Sequence, residues 1–487
     1  MSRTVSPVGR QILWIVSVLM LCAVVPLLLH EATGGPANPR SPWWALAVTV
    51  LSGAAYAGVI ASRSRQLFGL VVWLFTYLFM GLAPYVQYRL NVRLSTIPHI
   101  DADLYPKAGL LVLVCAATYL VGNYFGKTSR RPVQALRGVM VDRRRTNIVS
   151  ALAVGLFLYY GSTVGFTSFL LSRTESSAAR QALAGESVMG VLIGGSMRMG
   201  LLVAFLAQMS LRWQDKSAGR KPHIVPALLL GALLLYVVNP VNSPRFVLGT
   251  VVLAMAAAFG VYATRNRFRF MAVAALAGLM FVFPLADVFR HSTDADIEVE
   301  GPVQAMTSGD FDAFGQLTNT FDYVAAHGIT WGGQMLGVLF VFVPRSLWPE
   351  KPVATGQLVA EHMGYKFTNL SAPIWAELLI NFGVIGALLG MGLIGYLFRR
   401  WDTRTELHLR RHPMPPIVVS ATAFYMLILL RGSLLAVAAQ LFVILLASWY
   451  VTRRPRPSRA RPNVRECQLK GYAADALRTP ASSTVRR

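Results

Sequence analysis

Cysteine is nearly absent from this chain. Its three thiols are Cys22 and Cys115, in apolar stretches, and Cys467, in a basic tail. No disulfide framework and no cysteine-based metal site can be built from them. Acidic residues are scarce as well, 22 against 46 Lys and Arg, which argues against a proton or ion path lined by intramembrane carboxylates. The chain has no H-E-x-x-H, no G-x-S-x-G and no phosphate-binding P-loop, so hydrolase and ATPase readings lose ground. No internal repeat is evident, which weakens a transporter built from two related halves.

Apolar residues are what the chain has in abundance. They make up 54% of it, charged residues only 14%, and the mean hydropathy is +0.50. That is the composition of a polytopic, all-α membrane protein. A span needs roughly 20 mostly apolar residues, because the hydrocarbon core is about 30 Å thick and a helical residue rises about 1.5 Å. Twelve stretches are read as spans: 12–30, 43–61, 67–86, 108–125, 147–170, 188–211, 224–239, 246–263, 270–288, 375–398, 416–430 and 433–452. The first follows Arg3 and Arg10, yet it exceeds a signal-peptide core and no A-x-A site follows, so it reads as a retained helix.

The net charge of +24 would suggest nucleic acid for a soluble protein. Here its distribution gives another answer. With the N-terminus in the cytoplasm, 33 of the 46 basic residues fall in links on that same side, among them 126–146, 399–415 and the tail. This is the positive-inside pattern. It puts both termini in the cytoplasm and leaves the tail, 453–487, as a disordered basic segment near anionic lipid headgroups, with no nucleic-acid partner expected. The organisation that follows is nine spans over 1–289, a large extracytoplasmic loop over 290–374, three spans over 375–452, and the tail.

The loop holds nine of the 22 acidic residues and four basic ones, Arg290, Arg345, Lys351 and Lys366. Within it, Trp331 to Val343 is apolar, interrupted by Gly332, Gly333 and Gly337 and closed by Pro344. At about 13 residues it is too short to cross, and it suits a re-entrant or interfacial helix. A crossing would also put 399–415 and the tail outside, against the charge pattern.

Arginines on the loop side are the candidate anion ligands. Arg198 lies within a span, where a central Arg costs about 2.5–3.5 kcal/mol and so faces a cavity or a partner. Arg245 closes the broken turn Asn239-Pro240-Val241-Asn242-Ser243-Pro244 at a helix start, where backbone N–H groups also favour anions. Arg173 and Arg180 share one face if their loop is helical, and their guanidinium forks suit a pyrophosphate. The general-base candidates are Asp310, Asp312, Asp322, Glu361, His362 and Glu377. Any single one is more often a surface or hydrogen-bonded residue than a catalyst.

The run Val343-Pro344-Arg345-Ser346-Leu347-Trp348-Pro349-Glu350-Lys351-Pro352, followed by Asn369, Pro373, Glu377 and Asn381-Phe382-Gly383-Val384-Ile385-Gly386, resembles the oligosaccharide repeat-unit polymerases, the Wzy-type O-antigen polymerase family. The likeness covers about residues 239–396, including Phe311-Asp312, Phe321-Asp322 and Arg245. It implies a glycosyltransferase of the C-type architecture in the bacterial cytoplasmic membrane. Such an enzyme moves a growing glycan from undecaprenyl pyrophosphate to the next lipid-linked repeat unit, facing outward, without metal or cofactor. A flippase and a chain-length regulator of the same pathway would be its partners. On this resemblance Arg245, Arg290 and Arg345 would neutralise the leaving pyrophosphate, assisted by Lys351 and completed by Arg173, Arg180 and Arg198. Glu377, His362 or Asp312 would take the acceptor's proton. The structural reading of Glu377 is a cap or tether for the helix that Gly383, Gly386 and Gly390 let pack closely, Gly386 and Gly390 forming a small-residue packing face. The rival readings are an O-antigen ligase with the same donor, and a flippase or exporter, which would carry more charge along its spans.

Overall fold

The computed structural model describes residues 6–128, 140–172, 174–176, 178, 188–282 and 301–453. Among them the fold is helical, with one two-residue ladder pairing Met140–Val141 to Thr452–Arg453. The first nine helices are α1 (Pro7–Ala32), α2 (Trp43–Ala61), α3 (Leu67–Leu90), α4 (Tyr105–Thr128), α5 (Arg143–Val164), α6 (Val188–Ser217), α7 (Val225–Val237), α8 (Arg245–Ala258) and α9 (Arg265–Ala277). Beyond residues 283–300 come α10 (Ala313–His327), α11 (Gly333–Leu339), α12 (Thr355–His362), α13 (Ile374–Leu409), α14 (Ile417–Arg431) and α15 (Leu434–Val451).

Eight of these, α1 to α6, α13 and α15, are long and apolar enough to cross a membrane. The chain is therefore a multi-pass helical protein by length and composition. The other four expected spans correspond to α7, α8 and α14, apolar helices of 13, 14 and 15 residues, and to α9, beyond whose π-helical extension to Val282 the described residues stop. The three short helices are bounded by chemistry a helix cannot absorb. α7 gives way to the Asn239–Pro244 turn, α8 is followed by Gly260 at φ +76°, and α14 is closed by Gly432-Ser433. At the centre lies α3, whose apolar stretch 67–86 is buried throughout, whereas α1 is largely exposed. A helix without a polar face belongs inside the bundle.

Side-chain contacts sort the connections into two ends. At the basic end Arg65 pairs with Glu406 at 2.7 Å, Arg143 with Asp215 at 2.6 Å, and Trp213 donates to the Ala258 carbonyl. The links between α2 and α3, α8 and α9, and α13 and α14 thus meet at one end, joined there by the starts of α5 and the close of α6. At the loop end Gln87 donates to the Met306 carbonyl, Asn242 to the Ser168 carbonyl, and Arg431 pairs with Asp312. Residues 301–330 and 344–373 both belong to this end: Thr330 N–H donates to the Ile380 carbonyl, and Thr355 N–H donates to the Ser433 hydroxyl oxygen at 2.9 Å. The apolar run between them, expected not to cross, returns to the end it left. It forms the seven-residue α11, and the chain beyond it packs Val341 on Ala438 and Ala439 of α15. Leu339, Phe340 and Phe342 remain exposed, as an interfacial element would leave them.

Two glycine arrangements fix α13. A Cβ on Gly122 of α4 would lie 1.9 Å from the Gly392 carbonyl oxygen, and one on Gly395 would lie 2.2 Å from that of Tyr119, so α4 and α13 touch backbone to backbone. Gly383 has φ +68°, and there α13 breaks into two helical segments. The shorter, Ile374–Phe382, turns back so that Leu378 lies over Gly390 and Phe382 over Gly386. The small-residue face read from Gly386 and Gly390 therefore receives the chain's own preceding segment.

Replacing Gly395 with Ala should separate α4 from α13 and lower the melting temperature more than Gly383→Ala does. The latter adds the backbone strain of φ +68° with ψ −170°, a region essentially confined to glycine, at about 1–3 kcal/mol, while the nearest side-chain atom to its new Cβ would be 3.7 Å away. Thermal melting of the two purified variants in detergent tests this ranking.

Candidate active site at the loop end

The break at Gly383 frees the carbonyls of Ile380 and Asn381, which a helix would otherwise pair. They accept the N–H groups of Thr330 at 2.8 Å and Gly332 at 3.1 Å. The fully buried Asn381 side chain completes the joint: its Oδ1 accepts from Met335 N at 3.2 Å and its Nδ2 donates to the Glu377 carbonyl at 2.8 Å. Polar backbone inside an apolar body is stable only when paired in this way. The Asn-Phe-Gly element is thus the seat on which the loop docks.

Glu377 stands one turn earlier, 1% exposed. One carboxylate oxygen accepts from the Leu434 N–H at 2.8 Å and the Ser433 hydroxyl at 3.1 Å, and the other accepts from the Thr355 hydroxyl at 2.8 Å. Leu434 is the first residue of α15, so Glu377 caps that helix from another one, where orphan N–H groups and the helix dipole favour a negative charge. Both oxygens are engaged and neither faces solvent, an arrangement for holding three elements together.

Arg245 begins α8, as expected, and forms an ion pair with Asp310. Arg431, at the end of α14, joins the same cluster. It bonds Asp312 at 2.9 Å, approaches Asp310 at 3.9 Å, donates to the Asp310 carbonyl at 3.0 Å, and lies over the Phe246 ring at 4.9 Å. Asp312 also accepts from Ser371 at 2.8 Å. Its burial pushes the carboxyl above the usual range, while Arg431 and Ser371 pull the other way. Two arginines facing two aspartates compensate each other, so a phosphate here would have to displace Asp310.

Arg345 and Lys351 are arranged differently. Arg345 donates to the carbonyls of Lys351 at 2.7 Å and Pro352 at 3.2 Å, and Lys351 Nζ donates to those of Val341 at 2.7 Å and Val343 at 2.9 Å. These bonds close 341–352 into a compact hairpin. Among the described residues neither cation has a carboxylate partner. Burial and the neighbouring Arg345 lower the Lys351 pKa. Guanidinium and ammonium donors remain beyond those engaged.

His362 ends α12 and lies between two partners. Its Nε2 is 2.9 Å from Asp322 Oδ2, and its Nδ1 is 3.0 Å from Nε2 of His327, the last residue of α10. Tyr323 packs against both imidazoles, its ring centroid 4.7 Å from that of His327 and 5.4 Å from that of His362. An ionised Asp322 only accepts, so His362 donates from Nε2 and accepts at Nδ1. His327 then donates from Nε2 and is left with a free Nδ1 lone pair. Asp322, His362 and His327 thus form a hydrogen-bonded chain that ends at an exposed imidazole, a geometry able to relay a proton.

The histidine chain and the Arg245–Asp310–Arg431–Asp312 cluster do not meet at one point. With about 1.5 Å per helical residue, His327 stands about 22 Å from Asp312 along α10. Arg198 lies on α6, near the level where Gly195 meets Gln440 of α15. Arg173, Arg180 and Arg290 lie outside the described residues. Glu361 is an exposed partner of Gln357. The sequence reading missed His327, whose partner is 35 residues away on another helix, with no spacing to announce it. It also missed Trp331, which combines φ +51° with 84% exposure. A bulky side chain held out in the left-handed region is a strained feature of the surface. The Trp-Gly-Gly sequence was the signal available for it.

No family model, curated protein or solved structure matches the chain.

The capping role of Glu377 separates two substitutions. Glu377→Gln keeps an oxygen for Leu434 and an amide that can donate to Thr355, and should cost little. Glu377→Ala strands a buried N–H and should destabilise by about 1–3 kcal/mol. Melting temperatures of both proteins, with amide exchange at the start of α15, distinguish them.

Proposed function

We propose that this chain polymerises lipid-linked oligosaccharide repeat units, transferring a growing glycan from undecaprenyl pyrophosphate to the next repeat unit at the outer face of a bacterial cytoplasmic membrane. The observation that carries this reading is the 341–352 hairpin. Arg345 and Lys351, without carboxylate partners among the described residues, stand beside exposed Leu339, Phe340, Phe342 and Leu347. Cations set among membrane-facing apolar side chains complement a prenyl pyrophosphate, which is a doubly phosphorylated headgroup on a hydrocarbon tail. The twelve-span, C-type architecture belongs to the same reading.

The relay supplies the other half of the chemistry. The acceptor hydroxyl attacks the donor's anomeric carbon and forms the new C–O bond. The bond from that carbon to the pyrophosphate oxygen breaks, and its electron pair leaves with the pyrophosphate. The hydroxyl proton goes to His327 Nδ1, with His362 and Asp322 stabilising the imidazolium by hydrogen bonding. Arg345 and Lys351 stabilise the departing charge. Trp331 offers an exposed ring face on which a sugar can stack. Glu377 and Asp312 hold the frame, and Arg245 is held by Asp310.

The test is purified protein in lipid nanodiscs, supplied with synthetic lipid-linked repeat units. The expected product is a ladder of lengths. His327→Ala and Asp322→Asn should slow elongation by about 10²- to 10⁴-fold, the usual share of a general base, with the melting temperature unchanged. Arg345→Ala with Lys351→Ala should abolish it. A single transfer to a different acceptor would make the chain a ligase. Unchanged ladders in every variant would remove these residues from the chemistry.

A further inference from the structure

A second polar cleft lies at the basic end, far from the groups just described. Helices α5 and α7 flank α6. They are drawn together toward the loop end, where the Tyr236 hydroxyl donates to the Phe166 carbonyl at 2.8 Å and the Phe157 and Tyr236 rings meet edge to face. Toward the basic end they enclose a cavity of about 220 Å³. Gln208 and Asp215 of α6, 6% and 4% exposed, line it together with Arg143 and Asn147 of α5 and Val225 and Pro226 of α7. Gln208 donates to Asn147 and Ser150, both at 3.2 Å, which fixes its amide.

The charge in this cleft is unbalanced. Asp215 accepts from Arg143 at 2.6 Å and lies 3.7 Å from Arg220. Arg144 lines the adjoining groove, so among the described residues three guanidinium groups and one carboxylate stand in this region. The cavity continues into an open groove of about 600 Å³ that shares Arg143 and Asn147 and runs past Ile148 and Ala151 of α5. Exposed Leu152 follows on α5, and exposed Leu228 and Leu229 stand on α7. A polar cup with surplus positive charge therefore adjoins a strip of exposed apolar side chains. The cup is below the size of a pocket for a whole small molecule, about 300–1,000 Å³, and the tail of an amphiphile would lie outside it.

We infer that this cleft binds the phosphate of an anionic phospholipid from the leaflet at the basic end, with one acyl chain along α5. Arg143 and Arg144 take the phosphate oxygens, for which their fork geometry is suited. Asn147 and Gln208 are placed to reach the glycerol oxygens. The inference does not depend on the polymerase reading.

The experiment uses the full-length protein, delipidated in detergent and titrated with phosphatidylglycerol while native mass spectrometry counts bound lipids. One phosphatidylglycerol should bind at least tenfold more tightly than phosphatidylcholine. The preference should be lost in Arg143→Gln with Arg144→Gln. It should also be lost in Ala151→Trp, which obstructs the groove and leaves every charge in place. Excess glycerol 3-phosphate should fail to displace the lipid. Equal binding by wild type and both variants overturns the inference, and so does displacement by glycerol phosphate alone, which would mark a site for free phosphate.

Discussion

Backbone groups left without partners are what an apolar helical bundle tolerates least, because no water reaches them and each unpaired group costs several kcal/mol or so. The break in α13 at Gly383 creates such groups, and the loop end is arranged around their satisfaction. Thr330 and Gly332 pair with the carbonyls the break exposes, and Asn381 holds Met335. That joint fixes where the chain leaves α10, and so where His327 points. One turn before it, Glu377 ties the start of α15 to Thr355 at the head of α12, the helix that ends in His362. The relay is held from both sides by one broken helix.

The far end of α13 repeats the device. Asp402 accepts the N–H groups of Phe68 at 3.0 Å and Gly69 at 3.1 Å and so caps α3, and Glu406 holds Arg65 in a buried pair. A chain with few carboxylates has placed one at each end of α13 to cap a different helix. Asp310 and Asp312 likewise join α8 and α14 to the start of α10. Among the acidic residues that a sequence reader would nominate as bases, most serve as connectors. Glu361, which only meets Gln357 on its own helix, and Asp322, whose partner is a histidine that carries a second histidine, are the exceptions.

Hydropathy and charge made much of this legible beforehand. Long apolar runs mark the helices because a span must be continuous and unbroken by charge. Among the described residues, the ion pairs of Arg65, Arg143, Arg265 and Arg410 collect at one end of the bundle. The short run from Trp331 to Val343 could be excluded as a crossing by length alone, and it returns to the end it left. Other features follow from contacts between distant residues. Arg431 meets Asp312 across 119 positions, and no periodicity records that. Arg345 and Lys351 were legible as cations, but the carbonyls that orient them became visible only once the hairpin had closed. Gly383 read as a packing residue, whereas its backbone angle makes it a hinge between two helical segments.

The relay, the hairpin and the lipid cleft all rest on the bundle having two ends on opposite sides of a membrane. Single cysteines placed in a cysteine-free background, labelled in intact cells with a membrane-impermeant maleimide, test this directly. Cysteine at Ser308 or Lys366 should label from outside, on either side of the 331–343 run. Cysteine at Ser217 or Arg410 should label only after the membrane is permeabilised. Labelling of Ser308 and Lys366 from opposite sides, or of Arg410 in intact cells, would contradict the account.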